Sequence, residues 1–146
     1  MTDIKNLIRI CMENKKNSYA PYSKFKVSSL VRTKKGNIYC GVNIENAAYS
    51  PSLCAERSAM AQAISKGEKD FDLIIIHGDS DFTYPCGLCR QFMAEFFDKD
   101  TKIIVARNED DFKTYKMEDI LPYSFGKKDL EDKWNQDSYL LLEGQM

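Results

Sequence analysis

Two short segments of this chain carry sulfur in a pattern that suits one shared metal ion. Pro85-Cys86-Gly87-Leu88-Cys89 holds a Cys-x-x-Cys pair, and Cys54-Ala55-Glu56, well upstream, holds a third cysteine. Two thiolates at that spacing reach one metal ion, and a sulfur from elsewhere joins them only if the intervening chain folds back. A structural zinc closes its tetrahedron with four protein ligands, whereas three leave a position for water and chemistry. Glu56, two residues from one ligand, is the carboxylate such chemistry needs.

The 146 residues are enough for one domain with a real core, so a single unit over 1–146 is expected, with 127–146 a tail of unassigned structure. A hydrophobic share of 43% and a charged share of 29% are those of a soluble globular protein. No apolar run approaches the ~18 residues of a membrane span. A net charge of -1 offers no general attraction to phosphate backbones or acidic lipid, so neither nucleic acid nor membrane is expected as a partner. Met1 to Lys5 do not form a charged stretch leading into an apolar one, and the expected location is the cytoplasm. Thiols stay reduced there, which favours metal or catalytic duty for the five cysteines over disulfides.

Periodicity supplies the elements. Ile4, Leu7, Ile8 and Cys11 recur at helical spacing between Asp3 and Lys16, ahead of the break at Ala20-Pro21. Phe25 to Thr33 and Asn37 to Ile44, rich in β-branched and aromatic residues, flank Lys34-Lys35-Gly36 as a hairpin. The polar stretch Asn43 to Pro51 reads as a loop and a binding edge. A helix is expected from near Ser52 to Lys66, with Leu53, Arg57, Met60 and Ile64 on one side and Gly67 as its stop. Leu73-Ile74-Ile75-Ile76 is apolar without alternation, as in a central strand covered on both faces. A helix from Cys86 to about Phe97, a strand over Lys102 to Ala106, an edge strand over Phe112 to Met117 and a helical turn over Glu118 to Leu121 complete the pattern. This order predicts an α/β fold, a three-layer α/β/α sandwich with a mixed five-stranded sheet, its helix-linked strands parallel and its hairpin antiparallel.

Both sulfur-bearing segments fall at predicted helix N-termini, where free N–H groups and the positive end of the helix dipole stabilise thiolates. Zinc with three thiolates carries a formal charge of -1, and Arg57 is placed to offset it by hydrogen-bonding a ligand sulfur. On a regular helix Glu56 sits about 200° round the axis from Cys54, so it stands beside the metal only if the first turn wraps it. Other readings stay open on these residues alone: a thioredoxin-like redox pair, or a closed structural zinc recruiting Cys40 or Cys11. His77, the lone histidine, ends an apolar strand and reads as structural, while Cys11 and Cys40 read as core thiols.

The segments Cys54-Ala55-Glu56 and Pro85-Cys86-Gly87-Leu88-Cys89 resemble the zinc-dependent deaminase signature, a superfamily with a three-cysteine variant and a glutamate that is not a ligand. Tyr19-Ala20-Pro21-Tyr22-Ser23-Lys24-Phe25-Lys26-Val27, Asn43-Ile44-Glu45-Asn46-Ala47-Ala48-Tyr49-Ser50 and Cys89-Arg90-Gln91 extend the resemblance to the small homotetrameric cytidine deaminases. The resemblance implies one zinc per chain on Cys54, Cys86 and Cys89, with Glu56 as proton shuttle and Arg57 behind the ligands. It implies substrate contacts from Phe25, Asn43, Glu45 and Ala55, and from Ala47, Tyr49 and Phe125 across subunits of a homotetramer with shared sites. The implied reaction is hydrolytic deamination of cytidine and deoxycytidine to uridine and deoxyuridine, a pyrimidine salvage step. A missing basic stripe favours a free nucleoside over a base in a polynucleotide. Ser28-Ser29-Leu30, Tyr84 and Leu88 depart from the family's usual small residues and bear on pocket shape. Alternatives are a deaminase of another aminopyrimidine or a cytosine-containing antibiotic, or a non-catalytic zinc or Cys-x-x-Cys redox protein.

Overall fold

The computed structural model describes residues 3–131. Its first element is α1 (Ile4–Asn14), which begins where the Asp3 carboxylate accepts the Asn6 N–H at 2.8 Å and runs into a 3-10 turn, Lys15–Asn17. There follow β1 (Val27–Thr33), β2 (Ile38–Val42), α2 (Ala55–Ser65), β3 (Phe71–Gly78), α3 (Gly87–Phe96), β4 (Lys102–Asn108), β5 (Asp111–Tyr115), and the short α4 (Met117–Ile120) and α5 (Lys127–Glu131). Among the described residues no helix is long and apolar enough to cross a membrane.

The sheet has five strands in the order β2-β1-β3-β4-β5. β1 is antiparallel to both β2 and β3, β3 is parallel to β4, and β4 is antiparallel to β5. Strands joined through a helix do point the same way, but only β3 and β4 are neighbours. β1 lies between β2 and β3, a placement that the order of elements along the chain does not encode.

Leu73 and Ile75 face one side of β3, Ile74 and Ile76 the other, and all four are buried. On the first side they meet Leu7, Ile8 and Cys11 of α1 with Leu30 and Ile104. On the second they meet Ala59, Met60 and Ala63 of α2 and Cys89 and Met93 of α3. The two apolar layers with the sheet between them make the three-layer arrangement that the unbroken apolar run implies.

Several boundaries differ from the sequence expectation. β1 starts at Val27 because Lys24 takes a positive φ of 60° and leaves Phe25 and Lys26 as connecting chain. β2 ends at Val42, and Ile44 pairs only through isolated bridges to Tyr19 and Leu53. α2 begins after Cys54 and buries Ala55, Glu56, Ala59, Met60 and Ala63, with Arg57 and Ile64 at the margin and Leu53 outside the helix. The cause is close approach: a Cβ on Gly41 of β2 would stand 2.4 Å from the Ala59 nitrogen and 2.6 Å from the Ala55 carbonyl oxygen. Only the small side of α2 can lie that near the sheet. In the tail, Lys127–Glu131 is helical, and residues 132–146 lie outside the described residues.

Candidate active site

Cys54 and Cys86 are the N-cap residues of α2 and α3, and Cys89 lies one turn into α3. Neither N-cap side chain makes a capping hydrogen bond, so the first-turn N–H groups and positive helix ends are left facing the sulfurs. The three sulfur atoms lie within 4.8 Å of one another, and Cys54 and Cys86 approach to 3.7 Å. Among the described residues this is the one group of three or more Cys, His, Asp or Glu side chains so placed. Neither Cys11, Cys40 nor His77 joins it. Cys11 is buried beside the Ser28 hydroxyl at 3.5 Å, Cys40 sits half-buried on β2, and His77 Nδ1 lies 3.0 Å from the Ala106 carbonyl oxygen. His77 therefore lies outside the sulfur cluster.

The electrostatics of the triad fit a cation. The Cys89 thiol hydrogen-bonds to Cys54 and, with help from Arg57 and Cys86, lowers the Cys54 pKa to about 5 against the opposing effect of burial. The same bond to Cys54, then burial, pushes the Cys89 thiol up. The Arg57 guanidinium reaches the Cys54 sulfur at 3.7 Å and also contacts Cys89, while its Nε is buried without a partner. Three converged sulfurs, one of them held toward thiolate, at two helix N-termini and backed by arginine fit a zinc ion with three cysteine ligands, which takes up their thiolate forms.

Glu56 is 4% exposed, in the first turn of α2. Burial is the main cause that raises its pKa to about 7, opposed by a hydrogen bond with Cys89. The turn does wrap the sulfur cluster, and the carboxylate stands beside it without being one of the three grouped ligands.

An open cleft of about 220 Å³ leads to this point, lined by Phe25, Val27, Asn43, Cys54, Ala55, Glu56, Thr83, Tyr84 and Cys86. Of the expected site residues it therefore gathers Phe25, Asn43, Cys54, Ala55, Glu56 and Cys86, with Cys89 buried at its base. Asn43 is partly committed to the fold, accepting from the Val27 N–H at 3.0 Å and from the Ser18 hydroxyl, and donating to the Phe25 carbonyl at 2.8 Å. Glu45 does not line the cleft: it accepts the Ser23 hydroxyl and the Tyr22 and Ser23 N–H groups, the latter two each at 3.0 Å, bonds that hold its pKa low. Ala47, Tyr49 and Phe125 do not line the cleft, and all three are exposed.

The match to known proteins agrees with this geometry. A family model described as "Cytidine and deoxycytidylate deaminase zinc-binding region" matches residues 1–106. The chain belongs to the cytidine and deoxycytidylate deaminase family. The cytidine deaminase of Halalkalibacterium halodurans is 36% identical over 131 residues, 89% of this chain and 99% of that protein. That of Sporosarcina psychrophila is 36% identical over 88% of this chain and 95% of its own length. A crystal structure of cytidine deaminase from Burkholderia pseudomallei superposes with a TM-score of 0.79 at 33% identity, covering 85% of this chain and 100% of that one.

Within this deaminase-family chain, sequence reasoning left Val27, Thr83 and Tyr84 out of the site. Val27 was visible as the end of the Tyr19-to-Val27 motif, and Tyr84 as an unusual residue before Pro85. No local signal marked Thr83. The departures at Ser28 and Ser29 are absorbed by the core: both are buried, and their hydroxyls donate to the carbonyls of Cys11 at 2.7 Å and Ile75 at 2.8 Å. Leu88 does not line the cleft and is 69% exposed.

Proposed function

We propose that this chain catalyses hydrolytic deamination of cytidine and deoxycytidine to uridine and deoxyuridine with release of ammonia, using one zinc per chain on Cys54, Cys86 and Cys89. What carries the reading is the buried Glu56 carboxylate standing beside three converged sulfurs at the floor of an open cleft. The similarity to named cytidine deaminases over nearly their whole length supports it.

When bound, zinc supplies Lewis acidity that makes water nucleophilic near neutral pH. Everything else falls to the chain. Glu56, with a pKa raised to about 7, accepts the proton of the attacking water and returns protons to N3 and to the departing amine of the base. One carboxylate serves in turn as base and acid because it stands beside the cluster without being one of its ligands. Arg57 spreads the charge of the thiolates through its contact with Cys54, keeping the ligand set from becoming too electron-rich. Phe25 and Ala55 pack against the base, and Asn43 offers its remaining amide hydrogen to the sugar. Glu45 orders the turn that presents Phe25.

The proposal extends to the molecule's setting: a single 1–146 domain acting on free nucleosides in the cytoplasm, in pyrimidine salvage, as a homotetramer in which Ala47, Tyr49 and Phe125 complete neighbouring sites. The test is direct. Purified protein should contain one zinc per chain and convert cytidine to uridine with the matching release of ammonia. Zinc-loaded protein that leaves cytidine and deoxycytidine unchanged overturns the reading.

A further inference from the structure

Tyr84 is the bulkiest side chain on the cleft wall next to a metal-ligand position, and it does not stand freely. Its hydroxyl lies 2.5 Å from that of Tyr115 on β5, and the two rings meet edge-on with centroids 5.7 Å apart. A second strap runs beside it, since Lys113 of β5 sits 4.4 Å over the Phe82 ring. Lys113 and Tyr115, two residues apart on one strand, share a face and together hold residues 82–84 against the sheet edge. The other end of the loop is equally fixed. Asp79 accepts the Lys26 N–H at 2.7 Å and pairs with Lys15 at 3.1 Å. The Thr83 side chain occupies the space over Gly78, where a Cβ would come within 2.4 Å of its hydroxyl oxygen, and hydrogen-bonds Ser80 at 2.6 Å. With Thr83 packed down, Tyr84 is left to shape the wall.

The orientation of a substrate in this cleft follows from the proposed reaction, on which this inference rests. The carbon that loses its amine must reach the sulfur cluster and Glu56. Glu56 serves N3 and the near side of the departing amine, so the C5 position and any group added to the far side of the exocyclic nitrogen meet the remaining wall there, formed by Thr83, Tyr84 and Cys86. Phe25, Val27 and Asn43 bound the cleft from the β1 and β2 side. We propose that Tyr84, braced by Tyr115, is a specificity-determining residue that limits the bulk a substrate can carry at C5 or on the exocyclic nitrogen. A rigid ring rejects an added methyl by overlap, whereas an unbraced one could swing aside.

The test compares kcat/KM for cytidine, 5-methylcytidine and N4-methylcytidine in zinc-loaded wild type, Tyr84→Ser and Tyr115→Phe. Tyr84→Ser should raise the efficiency of at least one methylated substrate relative to cytidine by roughly tenfold or more, the scale set by one methyl group in a pocket. Tyr115→Phe, which keeps the edge-on ring but loses the hydroxyl contact, should shift the same ratio in the same direction by less. The ratio of deoxycytidine to cytidine, set at the sugar end, should stay constant in both. Calorimetry with uridine and 5-methyluridine gives a readout free of catalysis, and Tyr84→Ser should narrow any difference in their dissociation constants. An active wild type whose methylated-to-unmethylated ratios change less than twofold in folded Tyr84→Ser and Tyr115→Phe overturns the role of Tyr84 alone. A zinc-loaded wild type inactive on cytidine and deoxycytidine overturns the functional reading, and this inference with it.

Discussion

Glu56 is a carboxylate placed where burial disfavours its charge, and its proton affinity is the result. Glu56→Gln keeps the size and polarity of the side chain but cannot exchange the proton. Turnover should fall by at least about 10²–10⁴-fold, the usual contribution of general acid–base catalysis, while zinc content and circular dichroism remain those of the wild type. Near-normal turnover would remove Glu56 from the mechanism. His77 shows the same physics put to a structural use. It is 6% exposed, with its ring on the Ala106 carbonyl, and burial lowers its pKa, aided by Lys15 and opposed by that carbonyl and by Asp79. A depressed folded pKa means the unfolded chain binds this proton first as pH falls. The stability held above the ordinary histidine value near 6.5 is therefore lost as pH drops toward the folded value. Urea midpoints should decline more steeply from pH 8 to pH 5 in wild type than in His77→Gln, and parallel slopes would exonerate His77. At this scale the sequence was most legible in the convergence of Cys54, Cys86 and Cys89, which their spacing anticipated, with Glu56 beside them only because the first turn of α2 brings it there. It marked Tyr84 as a departure bearing on pocket shape but not its brace, because the contact with Tyr115 of β5 leaves no local pattern.

At the scale of elements, Cys54 and Glu56 are positioned by how closely α2 can lie on the sheet. Ala55, Ala59 and Ala63 form the small side of that helix, and Gly41 is the point where β2 receives it. Gly41→Ala drives a methyl into backbone atoms of Ala55 and Ala59, which cannot rotate away as a side chain would. Overpacking of this kind costs about 1–3 kcal/mol. The helix must also shift, and Cys54 and Glu56 shift with it, so zinc affinity should fall along with the melting temperature. Thermal melts with and without chelator separate the two effects: a variant that melts early but binds zinc as tightly as wild type would show that the helix had not moved. Element types were readable because the periods are clean, every third or fourth residue in α1 and an unbroken apolar run in β3. The face that α2 buries was readable only in part: Met60 of the expected side is buried and Ile64 packs at the margin of the core, but Ala55, Ala59 and Ala63 are buried with them, because close approach to Gly41 outweighs hydrophobic surface at that contact.

On the scale of the whole molecule, one chain gathers the three clustered cysteines and Glu56 but leaves other expected substrate contacts in solvent. Tyr49 is 80% exposed and Phe125 61%, and neither lines the cleft. Their backbones are nonetheless held in place. The Ser52 N–H donates to the Tyr49 carbonyl at 3.0 Å, and Gln91 of α3, two residues after Cys89, donates to the Phe125 carbonyl at 2.9 Å. Aromatic rings presented on ordered backbone, rather than folded into the core, suit a partner surface. The proposed homotetramer gives them that role by placing them over the cleft of a neighbouring copy. Phe125→Ala should then weaken nucleoside binding by about 1–3 kcal/mol, the usual loss when a base gives up an aromatic platform, without changing zinc content. Dilution provides the sharper check, because a site completed by a second chain disappears when the chains separate. Sedimentation and cytidine turnover measured over the same concentration series should show activity per chain falling as the assembly dissociates, and a fully active monomer would show that each chain completes its own site.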